Sequence, residues 1–152
     1  MMAGELVSQV DYTRTSRDDH PEQLSHVVLA FALNNRPSAN SETVMTVKAP
    51  LGFKFASLCQ VVTGSSVFGA GQSYVGGYSR FEATATVVQC EGSRNTAHIT
   101  IKPGLFQTKT YAFRLEVFNP SITPEYNRWT ISFGGETTVP FLGYRLWQFT
   151  EE

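Results

Sequence analysis

Apolar residues recur at every second position along most of this chain, in stretches rich in Val, Ile, Thr, Phe and Tyr. That period belongs to half-buried strands, whereas helical apolar positions return every three or four residues. Over residues 26–33, Val27, Leu29, Phe31 and Leu33 form one apolar face, and Val28, Ala30 and Ala32 make the other nearly as apolar. A strand with two such faces is expected at the centre of a structure. Residues 43–49 place Met45, Val47 and Ala49 on one parity and Lys48 on the other, before Pro50 and Gly52 end or bend the run. Residues 53–62 read as another strand, or as a strand and a corner. Residues 63–79 hold five glycines among Ser, Tyr and Phe, the composition of a mobile loop or a loosely paired hairpin.

The second half alternates more cleanly. Phe81, Ala83, Ala85 and Val87 predict a strand, and residues 91–95 a polar turn. Ala97, Ile99 and Ile101 predict the next strand, broken by Pro103 and Gly104. Tyr111, Phe113, Leu115 and Val117 follow, stopped by Asn119 and Pro120, then Trp129, Ile131 and Phe133, stopped by Gly134 and Gly135. A last apolar run covers residues 140–149. Strands separated by turns every ~8 to 12 residues are the signature of a sandwich. The expected fold is all-β, an antiparallel β-sandwich of immunoglobulin-like shape, with a jelly roll as the alternative. The chain of 152 residues has the length of one domain. Residues 23–150 are assigned to it, and residues 1–22 to an N-terminal segment that is flexible or adds an edge strand.

Charge narrows the function classes. The formal net charge is -1, with 16% charged and 41% hydrophobic residues. This is the balance of a globular chain without a basic nucleic-acid footprint. No apolar run reaches the ~18 residues of a membrane helix, and the N-terminus lacks the basic-then-apolar order of a secretory signal. A soluble domain is expected, without membrane insertion. Cys59 and Cys90 are an even pair in a β-rich chain, so they read either as one inter-strand disulfide or as two small buried hydrophobes in a reducing compartment. No asparagine begins an N-glycosylation signal, because Asn119 is followed by Pro120.

Catalytic patterns are thin. His20, His26 and His98, with Asp18 and Asp19 near the first, have no metal-ligand spacing. The aspartates Asp11, Asp18 and Asp19 all lie in the polar N-terminal segment, and no GxSxG context accompanies them. Glu82 and Glu116 point outward on predicted strands, as a solvated face or as a facing carboxylate pair. Gly69 and Gly71 lack the following helix and Lys of a phosphate loop. No catalytic residue, metal or cofactor is expected. The aromatics carry more weight, with six Tyr, eleven Phe and two Trp. Most belong to a core, Trp129 among them. Tyr126 with Trp129, beside Asn119 and Pro120, reads as a corner. Phe68, Tyr74 and Tyr78 lie in the glycine-rich loop, where flat rings beside Gln72, Arg80 and Glu82 form a candidate ligand site.

The segments TVMTVKAPLGFKF, AHITIKPGLFQTKTYAFRLEVFNP, NRWTISFGGE and GYRLWQF, together with Cys59 and Cys90, resemble an immunoglobulin-like repeat of very large extracellular or channel-associated proteins of protists. The matching positions are Pro50, Gly52, Phe53, the two cysteines, Tyr111, Phe113, Asn119, Pro120, Asn127, Trp129 and Trp147. They define a fold rather than chemistry. The resemblance implies a non-enzymatic structural or adhesive module in a larger extracellular assembly, with protein partners or neighbouring repeats. Its location would be extracellular or at the cell surface, the alternative being cytoplasmic. A carbohydrate-binding module using the glycine-rich loop is the second expectation, with a glycan as its partner.

Overall fold

A computed structural model describes residues 2–69 and 72–148. Gly71 of the glycine-rich loop and Phe149 of the last apolar run lie outside the described residues. Among the described residues ten strands form two antiparallel sheets. They are β1 (Ala3–Leu6), β2 (Leu24–Ala32), β3 (Thr43–Lys48), β4 (Val61–Val62), β5 (Val87–Ser93), β6 (Thr96–Ile101), β7 (Thr110–Phe118), β8 (Arg128–Phe133), β9 (Glu136–Thr137) and β10 (Phe141–Leu142). One sheet runs β1-β2-β7-β4 and the other β10-β8-β3-β6-β5, with β9 beside β8. One helical turn, α1 (Tyr12–Thr15), is capped by the Asp11 carboxylate, which accepts from the Arg14 N–H. The fold is the antiparallel β-sandwich expected from the alternation.

The inward parities of both sheets make one core. Val27, Leu29 and Phe31 of β2 and Tyr111, Phe113, Leu115 and Val117 of β7 meet Met45 and Val47 of β3, Ile99 and Ile101 of β6, and Trp129, Ile131 and Phe133 of β8. Trp129 is fully buried, with the rings of Phe53 and Phe55 at 5.1 and 6.4 Å in edge contact. Gly143 lies over it so closely that an added Cβ would sit 2.6 Å from both the Trp129 Nε1 and the Asn127 Oδ1.

The second apolar face of β2 is explained by a second, smaller cluster. Val28 and Ala30 of β2 and Ala112 of β7 pack under Val7, Val67 and Phe68. The described part of the glycine-rich loop is therefore neither free nor a hairpin. It lies across the outer face of the four-stranded sheet, and Gly69 takes a positive φ of 111° where it backs onto Arg14.

Several boundaries differ from the alternation. The strand predicted over residues 81–87 is a turn-containing loop in which Ala85 N–H donates to the Glu82 carbonyl. Phe81 and Ala85 are buried, so apolar spacing is kept without a strand. The strand begins at Val87 and continues through the predicted turn to Ser93, with Arg94 at φ 54° making the reversal. Of the apolar run over residues 140–149, the described residues 140–148 contribute only the two residues of β10. Tyr126 is exposed while Trp129 is buried, so the two rings do not form the expected corner.

Both seams between the sheets are closed. On one side Met2 bridges to Thr138. On the other, residues 53–62 alternate between the sheets. Lys54 pairs with Phe118 of β7, and Phe55 N–H donates to the Arg94 carbonyl. Cys59 N–H donates to the Cys90 carbonyl, and Val61 pairs with Leu115 of β7. Gly92 lets this segment cross β5, because a Cβ there would sit 2.1 Å from the Ala56 carbonyl oxygen. Cys59 and Cys90 form a disulfide with a Cα–Cα distance of 5.2 Å, fixing the crossing covalently.

Two substitutions probe these contacts. Trp129→Ala should lower stability by ~3 to 5 kcal/mol in a denaturant titration, the usual range for a large buried ring; a loss below about 1 kcal/mol would contradict its place in the core. Replacing Cys59 and Cys90 together by Ser should remove ~3 to 4 kcal/mol, the chain-entropy value for a loop of this length. A double variant as stable as the parent would mean that main-chain bonds alone hold the seam.

Candidate functional site

The loop that covers β2 and β7 builds a cleft on its way back to the sheet. Its anchor is Arg114, an even-parity residue of β7, whose guanidinium donates to the Ser66 carbonyl at 2.9 Å. Burial holds that guanidinium below its ordinary basicity. Beyond Phe68 the chain turns at residues 76–77 and returns to β7, where Ser79 N–H donates to the Thr110 carbonyl and Ala112 N–H to the Ser79 carbonyl. The rings of Tyr74 and Tyr78 both contact Phe68, with centroids at 5.1 and 6.2 Å.

Between this loop and residues 79–83 lies a cleft of about 1010 Å³. Five of the six residues predicted from sequence line it: Gln72, Tyr74, Tyr78, Arg80 and Glu82. Phe68 does not. It is buried beneath the two tyrosines and supports them. Lys109, which the alternation does not single out, completes one end.

Several of the cleft's polar groups have defined partners. The Tyr74 hydroxyl donates to the Gly64 carbonyl at 2.8 Å. Burial pushes its phenol up to about 12, against the opposing pull of the Arg80 guanidinium. Tyr78 donates to the Glu5 carboxylate, tying the loop to β1. Burial pushes the Glu82 carboxyl up, but hydrogen bonds from Lys109 and Tyr111 and the Lys109 charge outweigh it and leave the group below the ordinary carboxylate range. Glu82 is thus a fixed, ionised acceptor. Arg80 is exposed and has no carboxylate partner among the described residues.

The other chemistry-bearing residues are dispersed. Glu116 faces His26 across the β2-β7 ladder at 3.8 Å. It lies five positions beyond Tyr111, the partner of Glu82, hence ~17 Å along the strand and on the opposite face. A hydrolytic carboxylate pair needs a separation of roughly 5 to 9.5 Å, so the two glutamates do not form one. His20 pairs with Asp18 at 2.6 Å, and His98 meets Thr46 at 3.3 Å. Among the described residues no three His, Cys, Asp or Glu side chains gather as a metal site.

A buried polar cluster serves the fold instead. The Arg17 guanidinium is ion-paired to Asp19 at 2.5 Å and lies 4.1 Å over the Tyr144 ring. Asn119 donates to the carbonyls of Asp18 and His20 and accepts from Tyr144. These contacts clamp residues 17–20 between β7 and the C-terminal segment. A second cleft, about 870 Å³, includes the exposed Tyr126 ring with Arg128, Leu142 and Arg145.

No family model matches the chain, and no curated protein matches it. Among solved structures, a DUF4466 family protein from Parabacteroides merdae ATCC 43184 is similar over 95% of this chain at 14% identity and a TM-score of 0.42. The chain spans only 44% of that protein's length. BslA, a bacterial hydrophobin, is similar over 93% of this chain and 94% of its own, at 13% identity and a TM-score of 0.35. A collagen-binding domain from a Staphylococcus aureus adhesin covers 93% of this chain and 95% of its own, at 14% identity and a TM-score of 0.36.

The state of Tyr74 fixes a pH dependence. Its folded value of about 12 lies above the ordinary 10.0, so the fold binds this proton more tightly than the unfolded chain does. The resulting stability is fully present below pH 10 and is lost as pH rises toward 12. Urea titrations between about pH 9 and about pH 11 should show a smaller fall in Tyr74→Phe than in the parent. Equal falls would place the Tyr74 hydroxyl in water.

Proposed function

We propose that the chain is a non-enzymatic structural or adhesive interaction module, working outside the cell or at its surface as part of, or derived from, a larger assembly. The observation that carries this reading is the Cys59–Cys90 disulfide at the seam where residues 53–62 serve both sheets. Disulfides persist in oxidising compartments. This one ties the two layers together, so tension applied to one sheet is shared by the other.

The acidic side chains support the same reading. Glu82, Asp19 and Glu116 are each engaged by a cationic partner or a histidine within the fold, and none faces a second carboxylate in the cleft. Among the described residues no helix is long and apolar enough to cross a membrane. The net charge of -1 gives no basis for nucleic-acid binding. Neighbouring repeats or other proteins are the partners this reading implies, in line with the resemblance to protist repeats. Open sheet edges are few, because both seams are closed and β10 has only two residues. Contact through loops and faces is therefore favoured over strand addition.

A second reading rests on the cleft. Five residues singled out for a ligand site gather there, with two tyrosine rings beside a guanidinium, an amide and a fixed carboxylate. That composition suits a carbohydrate-binding module.

Protein isolated under thiol-trapping conditions should show no free thiol until it is reduced, and two afterwards. Two trapped thiols before reduction would place it in a reducing compartment and remove the support for an extracellular role. Immobilised oxidised protein should retain a matrix protein or polysaccharide without releasing product over time. Product accumulating in proportion to the amount of protein would overturn the non-enzymatic assignment.

A further inference from the structure

We propose that the cleft between the glycine-rich loop and residues 79–83 binds an acidic saccharide, with the sugar carboxylate on Arg80 and a sugar ring against Tyr74. The proposal rests on the carbohydrate reading of this cleft and names the ligand class.

Charge comes first. Arg80 and Lys109 bring two cations to the cleft and Glu82 one carboxylate, leaving one net positive charge in a protein whose net charge is -1. The carboxylate is already held by Lys109 and Tyr111, so it does not neutralise Arg80. A guanidinium offers paired parallel donors that match a carboxylate. Arg80 is the cleft's cation without such a partner among the described residues.

The remaining groups suit a sugar better than a bare anion. Tyr74 lines the cleft with a ring held edge-on against Phe68 and a hydroxyl bonded to Gly64, so its orientation is fixed before any ligand arrives. An apolar sugar face can lie against such a ring, as ligands do against the aromatic walls of pockets. Gln72, Ser73 and Ser79 supply neutral donors and acceptors. Glu82 uses only part of the acceptor capacity of its two oxygens, leaving lone pairs for sugar hydroxyls. The volume of about 1010 Å³ is at the top of the range of small-ligand pockets, roughly 300 to 1000 Å³. A phosphate or sulfate ion would leave most of it empty.

The test is calorimetric titration of the oxidised protein with oligomers of galacturonate, oligomers of glucuronate and a sialylated glycan, each beside its carboxyl-reduced counterpart. At least one acidic ligand should bind saturably, weaken about three- to fivefold on carboxyl reduction, and weaken similarly in Arg80→Gln. Its affinity should also fall with added salt. Arg80 is exposed, so the variant keeps its fold, and an unchanged thermal midpoint verifies this. Tyr74→Ala should remove binding of both members of a pair. If reduced and acidic forms bind equally and Arg80→Gln changes nothing, the acidic class is wrong while sugar binding stands. If no sugar of either series binds, the carbohydrate reading itself fails. Displacement of the sugar by inorganic sulfate or phosphate at equal concentration would overturn the saccharide in favour of a simple anion site.

Discussion

Two nine-residue strands, β2 and β7, pair along their whole length and carry apolar side chains on both faces. One face meets the second sheet and forms the core. The other would leave Val28, Ala30 and Ala112 in water unless something covered it, and burying such side chains is worth ~25 cal/mol per Å². The glycine-rich loop is that cover, placed by Val67 and Phe68 and held by Arg114. The cleft exists because the loop must return from this cover to β7 at Ser79. Its position thus follows from a packing requirement on the opposite side of the sheet from the core.

The second constraint is the seam. A sandwich of two sheets has edges that invite other strands, and closure is one way to remove them. Residues 53–62 achieve this by pairing first with β7, then β5, then β7 again. Such a path leaves the segment with few continuous ladder bonds. A covalent tie at Cys59 and Cys90 stabilises what hydrogen bonding does intermittently. Asn119 does comparable work at the end of β7, satisfying two carbonyls of the N-terminal segment and the Tyr144 hydroxyl at once.

Period-two alternation made β2, β3, β6, β7 and β8 legible, because each has a buried parity facing one core. Residues 81–87 misled it: Phe81 and Ala85 are buried from a loop, and alternation records burial without recording the backbone that delivers it. The doubly apolar β2 was legible as a central strand, but what covered it was not, since glycine-rich composition is shared by free loops and packed ones. At the cleft, Tyr74, Tyr78, Gln72, Arg80 and Glu82 were legible from their closeness in sequence. Phe68 lies beneath the cleft instead of in its wall, a difference the sequence does not carry because exposure within a loop has no sequence period. Lys109 and Arg114 were missed for a related reason: their partners, Glu82 and the Ser66 carbonyl, are far away in the chain.

The two cations of the cleft differ in how ready they are. Lys109 is held on Glu82 and lies 5.6 Å from the Phe106 ring centroid, so a ligand meeting it orders little that is not ordered already. Arg80 is exposed, and binding there must overcome the loss of rotamer freedom in a long side chain, about 0.5 to 1.5 kcal/mol. A single exposed guanidinium gives a weak contact. In the proposed complex, joined to the preset Tyr74 ring and Glu82 carboxylate, it would select among ligands that the rest of the cleft accepts. In that complex affinity would come from the rigid wall and selectivity from the exposed charge, a division that suits a module making many weak contacts along a polymer.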